Sequence, residues 1–372
     1  MDVNPALEPV AVNHTPGEEY SAATREWQGI PGIERTADGT LWATWYSGGG
    51  GEGPFNYVLL THSTDDGERW SDPDLVVDPP GVVRAFDPCL WVDPLDRLWL
   101  FWAQEYAKWD GRAGVWAIMT PDPTTEDAWS EPRRLCDGIM MNKPTVIADD
   151  EWLFPATRWD RPIGAYSHLD KSGVTLEDIR KYTDPVDVGR TPTTVWASTD
   201  YGQSVTQRGG AQVPNGVQSP DEQMIVQLDD GRLWMLIRTT YGIGESFSSD
   251  GGRTWTPVRE SGLEHPETRF FIRRLASGTL LLVKHADPGN RTDLSAYVST
   301  DDGASWSGGL LLDGRDSVSY PDGFEGPDGT IYVTYDRERH GATEILLATF
   351  DEDAAATGEG QVGRSIIDKI EE

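Results

Sequence analysis

Cysteine is nearly absent. Cys89 and Cys136 are the only two in 372 residues, which excludes a disulfide framework and a thiolate metal cluster and leaves either one bridge or, the preferred reading, two buried thiols. Lysine is scarce as well, occurring only at 108, 143, 171, 181, 284 and 369, and the 31 basic residues stand against 62 acidic ones. The formal charge of −31 sets up a field that repels nucleic acids and anionic membranes, so neither is expected as a partner. With so little lysine, the same surplus fits a chain adapted to high salt, where screening removes self-repulsion. Long apolar runs are missing, and no window approaches the roughly 18 residues of a membrane span. The opening "MDVNPALEPVAVNHTPGEEY" has neither the basic start nor the apolar stretch of a signal peptide. A soluble, cytoplasmic protein is the expectation. The six histidines and the carboxylates show no ligand-spaced motif, so no metal and no cofactor is expected.

What the chain has in abundance is turns, and they repeat. The pattern Ser-x-Asp-x-Gly-x-x-Trp occurs as "STDDGERW" at 63–70, "SSDGGRTW" at 248–255 and "STDDGASW" at 299–306, with a worn copy, "STDYGQSV", at 198–205. Aspartate can cap backbone N–H groups, glycine supplies a positive φ and tryptophan packs across the loop. A second repeat is an apolar strand, a tight turn and another apolar strand. It occurs six times, from "GIPGIERTADGTLWATWY" at 29–46 to "SYPDGFEGPDGTIYVTYD" at 319–336. Period-two alternation around Asp-Gly and Ser-Gly turns predicts β-hairpins. Six of them, spaced by about 50 residues, predict an all-β protein, a six-bladed β-propeller over residues 1–350. The longer interval at about 159–196 is read as an insertion, and 351–372 as an acidic tail able to form a short helix.

Equivalent offsets from the turn should reach equivalent heights around the central channel. Counting nine positions back from Gly39, Asp96, Gly231, Gly278 and Gly329 gives Ile30, Asp87, Glu222, Arg269 and Tyr320, and the shorter third hairpin supplies Lys143 before Pro144. Five of these six can hydrogen-bond or ionise, and such a convergence marks a site. Seven positions past the turn come Tyr46, Ala103, Arg238, His285 and Asp336, and the following loops and strands bring Glu52, Asn56 and Arg291 to the same rim. Arg238, Arg269 and Arg291 suit a carboxylate or another planar anion.

These residues resemble the sialidase superfamily, whose members carry such Asp boxes on a six-bladed propeller, and the resemblance covers nearly the whole chain. It rests on Glu222 and Arg238 in "DEQMIVQLDDGRLWMLIR", Arg291 in "NRTDLSAYVSTDDG", Tyr320 in "SYPDG", Asp336 in "VTYD" and Asp87 in "FDPCLWVD". The resemblance implies Tyr320 as nucleophile, Glu222 as its base, arginines on the substrate carboxylate, Asp336 supporting them and Asp87 near the sugar. A neutral tyrosine avoids the repulsion that a carboxylate nucleophile would meet at an anomeric carbon bearing a carboxylate; tyrosine-nucleophile sialidases are a recognised exception to the two-carboxylate rule. Two positions depart from the family pattern. Gly29 stands where the Arg-Ile-Pro motif has its clamp arginine, and the loop "SGGGGEGPFNYVLL" offers Asn56 near the place of the acid/base aspartate, with Glu52 the nearest acid. The implied activity is exo-hydrolysis of a terminal acidic sugar, sialic-acid-like or uronic, with Lys143, Arg269 and Asn56 among the substrate contacts. A uronate lyase with Tyr320 or His285 as base, and a non-catalytic glycan-binding propeller, are the alternatives.

Overall fold

The computed structural model describes residues 3–106, 112–147, 150–159 and 193–370, with 175, 177 and 182 as isolated positions. The insertion expected at about 159–196 therefore lies almost wholly outside the described residues. Six antiparallel sheets follow one another along the chain, five with four strands and the first with five. This is the six-bladed β-propeller. The innermost strands are Gln28–Arg35, Val83–Val92, Thr145–Val146, Met224–Gln227, Phe271–Arg274 and Val318–Glu325 in blades one to six. Each expected hairpin supplies the two inner strands of a blade, and the turn glycines Gly39, Gly231, Gly278 and Gly329 all have positive φ. Asp96, standing in for glycine in blade two, takes the same conformation at φ 57°.

The Asp boxes lie between the third and fourth strands of blades one, three, four and five. In each, a serine and an aspartate hold the loop: Ser299 Oγ donates to Asp301 Oδ1 at 2.8 Å and accepts from Gly303 N at 2.8 Å, while Asp301 accepts from Ser305 N. The worn copy keeps these bonds through Ser198, Asp200 and Gly202 although Val205 replaces the tryptophan. Large aromatic residues fill the spaces between blades, as where Trp91 meets Trp152 edge-on at 4.8 Å. Cys89 and Cys136 are both buried and unbridged.

The C-terminal segment needs a correction. Residues 351–370 are no appendage: Glu352–Thr357 is a helix, capped by Asp351, and Gly363–Lys369 pairs with Glu344–Phe350 as the outermost strand of blade six. The propeller thus runs past 350. An outer strand lies half in solvent and carries little apolar alternation, so "GRSIIDK" gave no strand signal. Blade six is consequently built without borrowing a strand from the N-terminus, whose short strand Val12–Asn13 instead edges blade one. Side chains close the ring: Arg25 pairs with Asp368 at 2.8 Å, Gln28 Nε2 donates to Asp368 and to the Thr343 carbonyl, and the Ile33 N–H donates to Asp322.

Candidate active site

Four of the six register positions have backbones in the left-handed region: Ile30 (φ 58°), Asp87 (47°), Glu222 (40°) and Tyr320 (56°). In blades one, two and six this coincides with a bulge, a break in pairing between Gly29 and Gly32, Phe86 and Cys89, and Ser319 and Asp322. A bulge re-aims a side chain out of strict alternation. All four residues line one cavity of about 200 Å³ at a mouth of the central channel. Holding a non-glycine residue in this region costs on the order of 1–3 kcal/mol and persists only where surroundings over-determine it.

At the heart of the cavity, Tyr320 Oη donates to Glu222 Oε1 at 2.8 Å. Arg238 Nη1 donates to both, at 2.6 Å to the carboxylate and 2.9 Å to the phenol oxygen. Burial, then the charge of Glu222, pushes the Tyr320 phenol up to about 12, against the pull of Arg238, Arg339 and Arg291. The resting phenol is neutral, with its proton already directed at a carboxylate. Arg238 can balance the phenolate as it forms. Glu222 Oε2 is buried and makes no hydrogen bond. Asp87 is a different kind of carboxyl: burial first, then the charges of Glu52 and Glu222, raise it to about 8, and Arg84 and Arg339 offset this only in part. At neutral pH it holds a proton.

Glu52 and Arg291 also reach the cavity. Arg291 lies 5.7 Å from the Tyr320 ring centroid, and its guanidinium donates to the Glu267 carbonyl at 3.4 Å. The residue that sequence reasoning missed is Arg339. It lies 4.2 Å over the Tyr320 ring and donates to Asp336 at 2.9 Å and to Glu52 at 3.0 Å. Its side chain fills the space that Gly29 vacates: a Cβ on Gly29 would stand 2.7 Å from Arg339 Cδ and 2.8 Å from Nε. An arginine from blade six thus occupies the space beside the blade-one glycine. Its place in "DRERH", three residues after Asp336, was the available signal. Met141, Trp159, Pro220 and Ile30 form the apolar wall, of which only Ile30 stood out by register.

Four expected substrate contacts fall elsewhere. Lys143 is buried in the channel, where it bonds Glu34 (2.9 Å), Asp322 (3.0 Å) and the carbonyls of Ile33 and Leu90. Burial alone would lower its pKa, but Asp322 and Glu34 outweigh burial and raise it. Arg269 is spent on Asn142, the Met141 carbonyl and Asp322. Neither has the left-handed backbone of the four cavity residues, and neither lines the cavity. Asn56 is buried and organises its own loop, donating to the carbonyls of Gly48 and Gly51 and accepting from Gly53 N. Asp336 stands behind the site, accepting from Ile30 N, Ser319 Oγ and Arg339 Nε. His285 stacks on His265 at 5.2 Å, bonds the Thr292 carbonyl and does not line the cavity. Among the described residues, no group of three or more His, Cys, Asp or Glu is arranged to hold a metal ion.

Fold and site together define a six-bladed propeller with a tyrosine, carboxylates and arginines gathered at one mouth of its channel. Residues 39–333 match the BNR repeat-like domain, and the chain belongs to that family. No curated protein sequence matches it. Among solved structures, a Hadza microbial sialidase shares 18% identity at a TM-score of 0.65, over 88% of this chain and 66% of its own. A protein of unknown function from Dyadobacter fermentans shares 15% at 0.61, over 90% and 95%. An alpha-L-arabinanase from Penicillium chrysogenum shares 12% at 0.54, over 92% and 98%. At such identities the likeness shows the fold alone.

Proposed function

We propose that the protein is a sialidase-like exo-glycoside hydrolase acting on a terminal sugar that carries a carboxylate. The observation that carries this reading is the Tyr320–Glu222 hydrogen bond of 2.8 Å with Arg238 bridging both partners. Tyr320 Oη attacks the anomeric carbon, its proton passes to Glu222, and the bond to the leaving oxygen breaks. Asp87, protonated at neutral pH, gives its proton to that oxygen. In the second half, water gives a proton to Asp87 as its oxygen attacks the same carbon, and the released phenolate takes its proton back from Glu222. Glu52, ion-paired with Arg339 at 3.0 Å, is assigned to holding that arginine. Arg238, Arg291 and Arg339 bind the substrate carboxylate.

The test is a panel of 4-nitrophenyl sialosides, uronides and rhamnosides at low and high salt, run on wild type, Tyr320→Phe and Glu222→Gln. A substrate with an acidic sugar should be turned over, and each variant should lose at least 100-fold, within the usual 10²–10⁴ range for a proton-transfer partner. Equal rates in all three proteins would remove the mechanism. An unsaturated product absorbing in the ultraviolet would identify a lyase instead. Glycan binding without turnover, unchanged in Tyr320→Phe, would identify a binding module.

A further inference from the structure

The central channel opens again at the end away from Tyr320. There the innermost strands of blades one, two, four, five and six end in register, at Arg35, Val92, Gln227, Arg274 and Glu325, each four positions before its turn. Between these strands lies a cavity of about 430 Å³, lined by Trp91, Met224, Phe271 and Ile272 together with polar groups that include Asn142, Lys143, Arg273 and Asp322. It is larger than the Tyr320 cavity of about 200 Å³, and its lining joins apolar side chains to polar groups that can fix the orientation of a small molecule.

Charge supplies the second, independent observation. The channel layer holds three cationic side chains, Lys143, Arg269 and Arg273, against two carboxylates, Glu34 and Asp322. Lys143 takes up both carboxylates, and one arm of Arg269, Nη1, is buried with no partner. Arg273 is half-buried, lines the cavity and stands close enough to Lys143 to oppose its charge. No hydrogen bond or ion pair involves its side chain among the described residues. The rim acid Asp229 does not serve it, being paired with Arg274, which also takes Asp302 and the carbonyls of Gln227 and Gly278. In a chain with 62 acidic residues, the Arg273 side chain lines this cavity with no ion pair among the described residues.

We infer that this end of the channel is a binding site for a small organic carboxylate, with Arg273 holding the carboxylate and Trp91, Met224, Phe271 and Ile272 enclosing its apolar body. A guanidinium recognises a carboxylate through paired N–H donors, and Trp91, Met224, Phe271 and Ile272 give a hydrocarbon or aryl body contacts that a bare inorganic anion lacks. The site is separate from the Tyr320 cavity, from which it is divided by the Lys143 and Arg269 layer.

Isothermal titration with 4-phenylbutyrate, its amide and inorganic phosphate tests this on the full chain. Wild type should bind 4-phenylbutyrate saturably, and the amide and phosphate at least tenfold more weakly. Arg273→Gln should weaken 4-phenylbutyrate at least tenfold, Arg273→Lys, which keeps the charge, should weaken it less, and Arg291→Gln in the other cavity should leave it unchanged. The inference is overturned by absence of saturable binding to wild type, by an amide that binds as well as the acid, or by loss in Arg291→Gln with none in Arg273→Gln. A thermal melt of each variant shows whether it is folded, and Arg273→Lys carries the comparison if Arg273→Gln is not.

Discussion

Tyr320, Glu222 and Arg238 form a unit in which each side chain sets the state of the next. The carboxylate keeps the guanidinium charged, the guanidinium contacts the phenol oxygen, and the phenol donates back to the carboxylate. Asp87 completes the set by carrying a proton where an ordinary aspartate would not. Its pKa rises from about 4 in the unfolded chain to about 8 in the fold, through burial and then the charge of Glu52. The sign of the linkage follows: the protonated carboxyl stabilises the fold fully below pH about 4, and that contribution is lost as pH rises through about 8. By pH 9 the folded wild type holds a buried charge at a cost on the order of a few kcal/mol. Asparagine fits the same left-handed backbone and never ionises. Asp87→Asn should therefore melt at a higher temperature than wild type, by a margin that widens from pH 5 to pH 9, while turnover is lost. A margin constant with pH would show that Asp87 is not the raised acid. For the wild type, turnover should fall above pH about 8 as the acid loses its proton.

At the scale of strands and turns, the bulges decide what the site contains. The hairpins were legible because their chemistry is local: Asp-Gly turns, alternating apolar residues and the Ser-x-Asp-x-Gly loop all speak within about ten residues. Offset from the turn also picked out Ile30, Asp87, Glu222 and Tyr320. It could not separate them from Lys143 and Arg269, because a left-handed kink at the strand start leaves no mark in spacing; without the kink, those two side chains point into the channel and bond there. Arg339 was illegible for another reason. The gap over Gly29 is filled from the far end of the chain, and only ring closure brings the two together. This exchange gives a sharp test. A methyl at position 29 must displace the Arg339 side chain and with it the bonds to Asp336 and Glu52, whereas the φ there is not in the strained region and the flexible arginine can move. Gly29→Ala should lower kcat/KM on the acidic substrate at least tenfold, with a change in Tm of only about 1 °C, corresponding to under about 1 kcal/mol. Unchanged kcat/KM would mean that Arg339 takes no part in binding.

For the molecule as a whole, two features meet: a ring closed by side chains and a formal charge of −31. Among the described residues no strand is shared between the first and last blades, so the seam depends on contacts such as Arg25–Asp368, Gln28–Asp368 and Ile33 N–Asp322. Long-range repulsion among the surplus carboxylates works against this seam as against every other part of the fold. The seam pairs are mostly buried, with the Arg25 side chain only 1% exposed, so salt weakens them little while it screens the surface charges strongly. The balance favours salt. Melting temperature should rise by several degrees between 0.1 M and 1 M KCl. The shape of the rise identifies its cause. The Debye length falls from about 10 Å at 0.1 M to about 3 Å at 1 M, so relief of repulsion is nearly complete by then and the curve should flatten toward 2 M. A melting temperature that does not respond to KCl would refute the salt-adapted reading of the acidic surface. One that climbs in proportion to concentration beyond 1 M would assign the effect to exclusion of salt from the protein surface instead.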